Sequence, residues 1–256
     1  MQFIDSHTHL YLSDFDDDRS ALISDAEKKG INTFLLPHID SETTSELYKL
    51  VHDDPQRYYA MMGLHPCSVK ENYADELTHV RRNLENEKNI AVGEIGMDLY
   101  WDKTFVKQQE ETFIKQIHWA DEFDLPIVIH SRETIDILIE LIKKESIKDL
   151  KGVFHCFTGS IEQAKQIFDL GMLLGIGGVV TFKNSGLDKT LAELPLDKII
   201  LETDSPYLAP APNRGKKNIP EYLYLVAEKV AEVYDIDIKK VAEQTTFNCK
   251  ELFKLK

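Results

Sequence analysis

Phe3-Ile4-Asp5-Ser6-His7-Thr8-His9-Leu10 runs from two apolar residues into two histidines with one residue between them. Successive side chains on a strand point to opposite faces, so His7 and His9 share a face. Two imidazoles so placed can grip one cation. Neutral histidine suits zinc, manganese, iron, nickel or copper better than calcium. A lone His-x-His is equally well explained by one packed ring and one solvated ring. Its weight comes from the rest of the chain, where four other apolar runs also end in a ligand-type residue.

Those runs are Gln2–Asp5, Asn32–Pro37, Tyr58–Leu64, Ile90–Ile95, Pro126–His130, Gly152–Phe157, Met172–Gly177 and Lys198–Glu202. Phe34-Leu35-Leu36, Ile127-Val128-Ile129 and Ile199-Ile200-Leu201 are continuously apolar, as in parallel strands buried on both faces. Helical patterns lie between the runs. Asp16–Lys29 starts acidic, ends in two lysines and stops at Gly30, which suits the helix dipole and a glycine C-terminus. Residues 104–124 and 133–144 carry apolar stripes. Ser160 and Gln163 have the spacing of a capping box. Pro220 suits a first helical turn, and a final helix runs to about Phe253. Eight strand–helix units in 256 residues predict a single-domain α/β fold over residues 1–256. Its expected form is a (β/α)8 TIM barrel with an extra C-terminal helix. An open doubly wound sheet is the alternative, but no Gly-x-Gly-x-x-Gly follows the first strand.

Barrel enzymes place their sites at the carboxyl ends of the strands. Here those ends carry His7 and His9, His65, Glu94, His130, His155 and Asp204. Closure sets Asp204 beside His7 and His9, while Glu94, His130 and His155 meet from three consecutive strands. The expected arrangement has His7, His9 and Asp204 on one ion, His130 and His155 on a second, and Glu94 bridging. Two divalent ions (zinc, manganese or magnesium) would activate a water. Asp204 and Glu94 are the expected catalytic carboxylates, with Asp204 the base. Glu202 is expected to orient a ligand. His65 is expected near substrate or behind a ligand. Arg132 can fork onto a phosphate, with surface ion pairing an equal alternative. Arg214, Lys216 and Lys217 form a basic stretch after strand eight that can receive phosphates. Cys156 should alternate away from the site and pack against a helix. Asp14–Asp18 reads as a solvated acidic helix start, and His38, His52, His79 and His118 as ordinary residues of loops and helices.

The formal net charge of −14 excludes a protein that coats duplex nucleic acid with basic surface. It leaves open an enzyme that holds a few phosphates at metals. Three widely spaced cysteines argue against a disulfide framework and for the cytoplasm. No apolar run approaches a membrane span. No obligate protein partner is implied.

Asp-x-His-x-His, Gly-Leu-His-Pro, Gly-Glu-Ile-Gly-x-Asp, Pro-Ile-Val-Ile-His-Ser-Arg, His-Cys-Phe-Thr-Gly and Glu-Thr-Asp-Ser-Pro-Tyr-Leu occur in this order. Together they resemble the TatD family of metal-dependent deoxyribonucleases, from about Phe3 to Asn248. The resemblance implies a TIM barrel, divalent metal and phosphodiester hydrolysis, with 3′–5′ exonuclease action in some members. Its metal positions fall on His7, His9, Glu94, His130, His155 and Asp204, and its basic loop on Arg214–Asn218. DNA ends or single strands are the expected substrate. The alternatives are an ester or amide hydrolase such as a D-aminoacyl-tRNA deacylase, and a non-catalytic metal-binding protein.

Overall fold

The computed structural model describes residues 1–255. Strands and helices alternate along the chain: β1 (Phe3–Asp5), α1 (Arg19–Lys28), β2 (Ile31–Pro37), α2 (Thr44–Asp53), β3 (Tyr58–Met61), α3 (Tyr73–Asn86), β4 (Asn89–Asp98) and α4 (Val106–Glu122). There follow β5 (Ile127–Arg132), α5 (Ile135–Glu145), β6 (Gly152–Phe154), α6 (Ile161–Asp169), β7 (Leu173–Ile176), α7 (Leu187–Ala192), β8 (Ile199–Leu201), α8 (Leu223–Tyr234) and α9 (Ile238–Phe253). The strands pair in chain order, all parallel. This is the α/β TIM barrel that the strand–helix alternation predicts.

The ring is joined just past the ends of β1 and β8. Ser6 N donates to Leu201 O at 3.1 Å, Asp204 N to His7 O at 2.9 Å and His9 N to Ser205 O at 2.8 Å. Buried side chains reinforce the seam. Asp5 accepts from Thr203 Oγ1 at 2.6 Å and from Thr203 N at 2.9 Å. Thr8 and Ser205 share a hydroxyl bond of 2.6 Å. Burial pushes the Asp5 carboxyl up to about 8, with the Thr203 bonds pulling the other way.

Each strand is apolar on both faces because each face is buried. Outward residues such as Phe34, Leu36, Ile127, Ile129, Ile199 and Leu201 join the shell under the helices. Inward residues Ile4, Leu35, Met61, Ala91, Val128, Val153 and Ile200 form a second cluster. Cys249 and Phe253 of α9 complete that cluster, so the extra helix stoppers one end of the barrel. Toward the other end the inward positions become small or polar. A Cβ at Gly175 would overlap the Glu202 carboxylate, so glycine there makes room for it.

Several boundaries differ from the sequence reading. Residues 13–15 form a 3-10 turn that buries Phe15, and α1 begins only at Arg19. It ends at Lys28, and Gly30 just beyond its cap has φ 84°, which suits a residue without Cβ. The capping box is present at Ser160 and Gln163. Strand β4 runs three residues beyond its expected end, to Asp98. Strand β1 ends at Asp5 as expected, and β3, β6 and β8 stop short of their expected ends, so His7, His9, His155 and Asp204 sit just past regular ladder pairing. The free cysteines make no disulfide. No helix among the described residues is long and apolar enough to cross a membrane.

The stopper role of α9 has a measurable consequence. Phe253 is buried, and Phe253→Ala should cost about 3–5 kcal/mol in urea unfolding. A loss below ~1 kcal/mol would show that the barrel end does not depend on this ring.

Candidate metal centre

Glu94 is the hub. It projects from β4 and is buried, with five histidine rings around its two oxygens. Glu94 Oε2 lies 3.0 Å from His7 Nε2 and 3.9 Å from His9 Nε2. Glu94 Oε1 lies 2.9 Å from His130 Nδ1, 3.4 Å from His65 Nε2 and 3.6 Å from His155 Nε2. Asp204 Oδ1 stands 3.6 Å from His9 Nε2 and 3.9 Å from His7 Nε2. All six expected ligands therefore converge. His7 and His9 keep their common direction although β1 has ended, because Thr8 N bonds to Leu35 O and His9 N to Ser205 O. Asp204 adopts φ 57°, in the left-handed region, where a short carboxylate is better tolerated than a bulky side chain.

Hydrogen bonding sets what several rings present. The Tyr11 hydroxyl donates to Pro37 O at 2.6 Å, so it must accept from His9 Nδ1, 3.0 Å away. His9 Nε2 is then the unprotonated nitrogen. His130 Nε2 lies 2.9 Å from Asp98 Oδ2, which leaves Nδ1 facing Glu94. His155 Nδ1 lies 3.0 Å from Glu202 Oε1 but off line for a hydrogen bond. Glu202 Oε1 instead accepts from Cys156 N at 2.6 Å. Carboxylates behind ligating histidines are the usual way to orient them. His65 differs. Its Nδ1 accepts from Cys67 N at 3.1 Å, so Nε2 carries the proton and is a donor, not a lone pair.

This donor set fits a divalent cation. The unprotonated Nε2 of His9 points toward the carboxylates, and buried His7 Nδ1 has no hydrogen-bond partner. The mix of imidazole and carboxylate suits zinc or manganese. Four mutually close sets contain expected ligands: His7–His9–Glu94, His7–His155–Asp204, His65–Glu94–His130 and His155–Cys156–Glu202. His155 thus groups with His7, on which it stacks at 3.6 Å, rather than with His130, whose ring centre is 6.4 Å away. Strand adjacency puts His130 beside His155 in the ring of strands, but side-chain direction decides the grouping.

The centre is highly polarised. Burial alone would raise the Glu94 pKa, but His65, His7 and His155 hold it well below the usual carboxylate range. Burial likewise opposes ionisation of Asp204, and His9, His155 and His7 bring it below its ordinary value. Burial and the neighbouring His155 lower His7. Burial also works against His155, yet Glu202 and Glu94 raise it to about 10.

The remaining expected residues are placed unevenly. Arg132 is exposed at the end of β5, with its guanidinium 4.7 Å from the Tyr100 ring centre. Arg214 stacks over Phe182 at 4.5 Å. Lys216 is exposed. Lys217 is tied down: its Nζ bonds both Asp18 oxygens at 2.9 and 3.0 Å and Asp14 O at 2.9 Å. The acidic stretch 14–18 is therefore the partner of the basic stretch, not simply a solvated helix start. Cys156 does not alternate away. At φ 47° the backbone turns, and its sulfur lies within 4.8 Å of ligand atoms of His155 and Glu202. Burial and the charges of Asp204 and Glu202 raise its thiol well above the ordinary value, so it stays protonated. His38 is fully buried, with Nε2 2.7 Å from Thr44 Oγ1, which in turn is 2.8 Å from His79 Nε2. Tyr11 and Asp98 have no role in the sequence reading. Asp98 was visible as the carboxylate of Gly-Glu-Ile-Gly-x-Asp, four residues past Glu94. Tyr11 gave no signal beyond lying two residues after His9.

Comparisons with known proteins agree with this geometry. The family described as TatD related DNase matches residues 4–254. The uncharacterized metal-dependent hydrolase YabD of Bacillus subtilis is 34% identical over 252 residues, covering 98% of each chain. The uncharacterized metal-dependent hydrolase YcfH of Escherichia coli is 32% identical over 257 residues, covering 99% of this chain and 96% of its own. The crystal structure of YjjV, a TatD homolog from Escherichia coli, superposes with a TM-score of 0.93 at 30% identity, covering 99% of this chain and 98% of that one.

The hydrogen bonds behind the ligands are testable by titration. Tyr11→Phe removes the acceptor of His9 Nδ1–H, and Glu202→Gln removes the charge behind His155. Each should weaken zinc binding by roughly 10–100-fold in competition with a chromophoric chelator. Glu94→Ala should weaken it further than either. Unchanged affinity in Tyr11→Phe would overturn the tautomer assigned to His9.

Proposed function

Because this chain belongs to the family of TatD related DNases, metal-dependent hydrolases of TIM-barrel fold, we propose that it hydrolyses phosphodiester bonds at DNA ends or in single strands. The observation that carries this reading is the Asp204 carboxylate set among His7, His9 and His155 at the mouth of the histidine-lined centre. His7, His9, Glu94, His130, His155 and Asp204 would hold divalent cations, with Glu94 at the centre of the set. Bound there, divalent cations supply positive charge that lowers the pKa of water and stabilises phosphoryl oxygens.

The chain's own groups account for the rest. His65 Nε2–H is a donor aimed into the centre and is free to bond a phosphate oxygen when one displaces its contact with Glu94. Arg132, at the end of β5, and Lys216, on the loop after β8, stand exposed and can hold neighbouring phosphates. Asp204 takes the proton of the attacking water. The water oxygen bonds to phosphorus as the bond to the leaving sugar oxygen breaks, and Asp204 passes the proton on to that oxygen. Glu202 and Asp98 keep His155 and His130 in place throughout. The competing reading, attack on an ester carbonyl such as that of D-aminoacyl-tRNA, uses the same base. Assaying zinc- or manganese-loaded protein side by side on DNA ends, RNA and D-aminoacyl-tRNA separates the two, and cleavage of the ester alone would sink the nuclease reading.

Asp204→Asn keeps an oxygen ligand but cannot accept a proton at neutral pH. With metal occupancy measured on the same sample, its kcat should fall by roughly 10²–10⁴. The rising limb of the wild-type pH–rate curve, a joint property of the water and Asp204, should shift or vanish. A fully loaded Asp204→Asn enzyme with wild-type rate and pH dependence would move the base elsewhere.

The salt dependence of binding should also separate two neighbouring lysines. Lys216→Ala should lower the logarithmic salt slope for a single-stranded oligonucleotide by about 0.7, one phosphate's worth. Lys217→Ala should leave it nearly unchanged, because Asp18 already neutralises that charge. Equal effects would show that the ion pair opens on binding.

A further inference from the structure

We propose that Tyr100 and Trp101, with Arg132, form a stacking platform for an unpaired nucleobase beside the metal centre. The assignment rests on the phosphodiester reading above and names how that substrate is gripped. Large apolar side chains are mostly buried in this protein. Among the described residues those exposed are Met1, Tyr100, Trp101, Ile137, Tyr207, Leu208 and Phe247. Tyr100, Trp101, Ile137, Tyr207 and Leu208 all lie on segments that follow β4, β5 or β8, on the site face. Trp101 is the extreme case at 75% exposure, with Tyr100 at 51%. An indole left in water gives up one of the largest apolar areas a side chain has.

The two rings meet edge to face, with centroids 4.9 Å apart. Their backbone is held by a group that also holds a metal ligand. Asp98 Oδ1 accepts from Tyr100 N at 2.9 Å and from Trp101 N at 3.0 Å, while Oδ2 faces His130 Nε2 at 2.9 Å. One carboxylate thus fixes the aromatic turn relative to the centre. The Arg132 guanidinium lies over Tyr100, and the Arg132 backbone is tied to the same turn, since its carbonyl oxygen accepts from Leu99 N at 3.1 Å. Tyr100, Arg132, Thr158 and Gly159 line an open cleft between the ends of β4, β5 and β6.

Charge explains why stacking is needed here. The chain carries −14 overall, Lys217 is paired and Arg214 lies on Phe182. That leaves Arg132, Arg214 and Lys216 as exposed cations at the end of β5 and after β8, few for a phosphate backbone. Stacking on aromatic faces and on arginine holds a strand without regard to its sequence. A base inside a duplex is covered on both faces, so the platform selects single strands and frayed ends.

The chain has two tryptophans, and the other, Trp119, is buried. A Trp119→Phe protein therefore reports on Trp101 alone. In chelator, so that nothing is cut, an oligothymidylate should quench its fluorescence saturably. An abasic strand of the same length and charge should quench little. In the metal-loaded enzyme Trp101→Ala should raise the KM of the oligothymidylate by about 5- to 150-fold, with kcat little changed. Trp101→Phe should restore most of the loss. Equal quenching by the abasic strand, or an unchanged KM in Trp101→Ala, would overturn the platform while leaving strand cleavage standing. Saturable base-dependent quenching in a protein that cuts no phosphodiester when loaded would support the platform and overturn the nuclease reading.

Discussion

The bond from Asp204 N to His7 O, 2.9 Å long, joins residues 197 positions apart at the place where the barrel closes. Without that seam β1 and β8 would be free edges, with unpaired backbone groups and no shared interior. With it, the first and last strands deliver His7, His9 and Asp204 to one spot. Asp5 and Thr203 secure the seam below the ligands, and Thr8 and Ser205 secure it beside them. The centre is thus built across the joint that makes the fold a ring.

Glu94 poses the opposite problem. A buried carboxylate is costly unless positive charge or hydrogen bonds surround it. Five histidines face it, but one whose outer nitrogen donates, as His9 does to Tyr11, directs a lone pair inward. The cluster is balanced when cations sit among these donors, and the outer carboxylates Asp98 and Glu202 then serve to aim the rings. Metal binding and stability of this end of the barrel should accordingly be coupled.

The surface follows from the same economy of charge. Lys217 is spent on Asp18, and Arg214 and Arg132 lie against aromatic rings. Large apolar groups cluster instead on the loops around the centre. The anionic strand proposed as substrate would accordingly be held at a few fixed points, through metals at its scissile phosphate and ring faces nearby.

The eight apolar runs, the helical patterns between them and the ligand types at their ends were legible in the sequence alone, because they depend on local periodicity and on where strands stop. That sufficed for the barrel and for His7, His9, Glu94, His130, His155 and Asp204 as neighbours. Alternation misled at Cys156, since one left-handed backbone angle cancels it, and separate runs of acidic and basic residues concealed their pairing at Lys217 and Asp18. Tertiary structure alone decided that His155 stacks on His7 rather than grouping with His130, that Tyr11 sets the proton on His9, and that Asp98 ties His130 to an exposed tryptophan. Each of these depends on side-chain directions across a closed ring. Periodicity places a residue on a face, whereas the partner it meets is chosen by the three-dimensional path of every other strand.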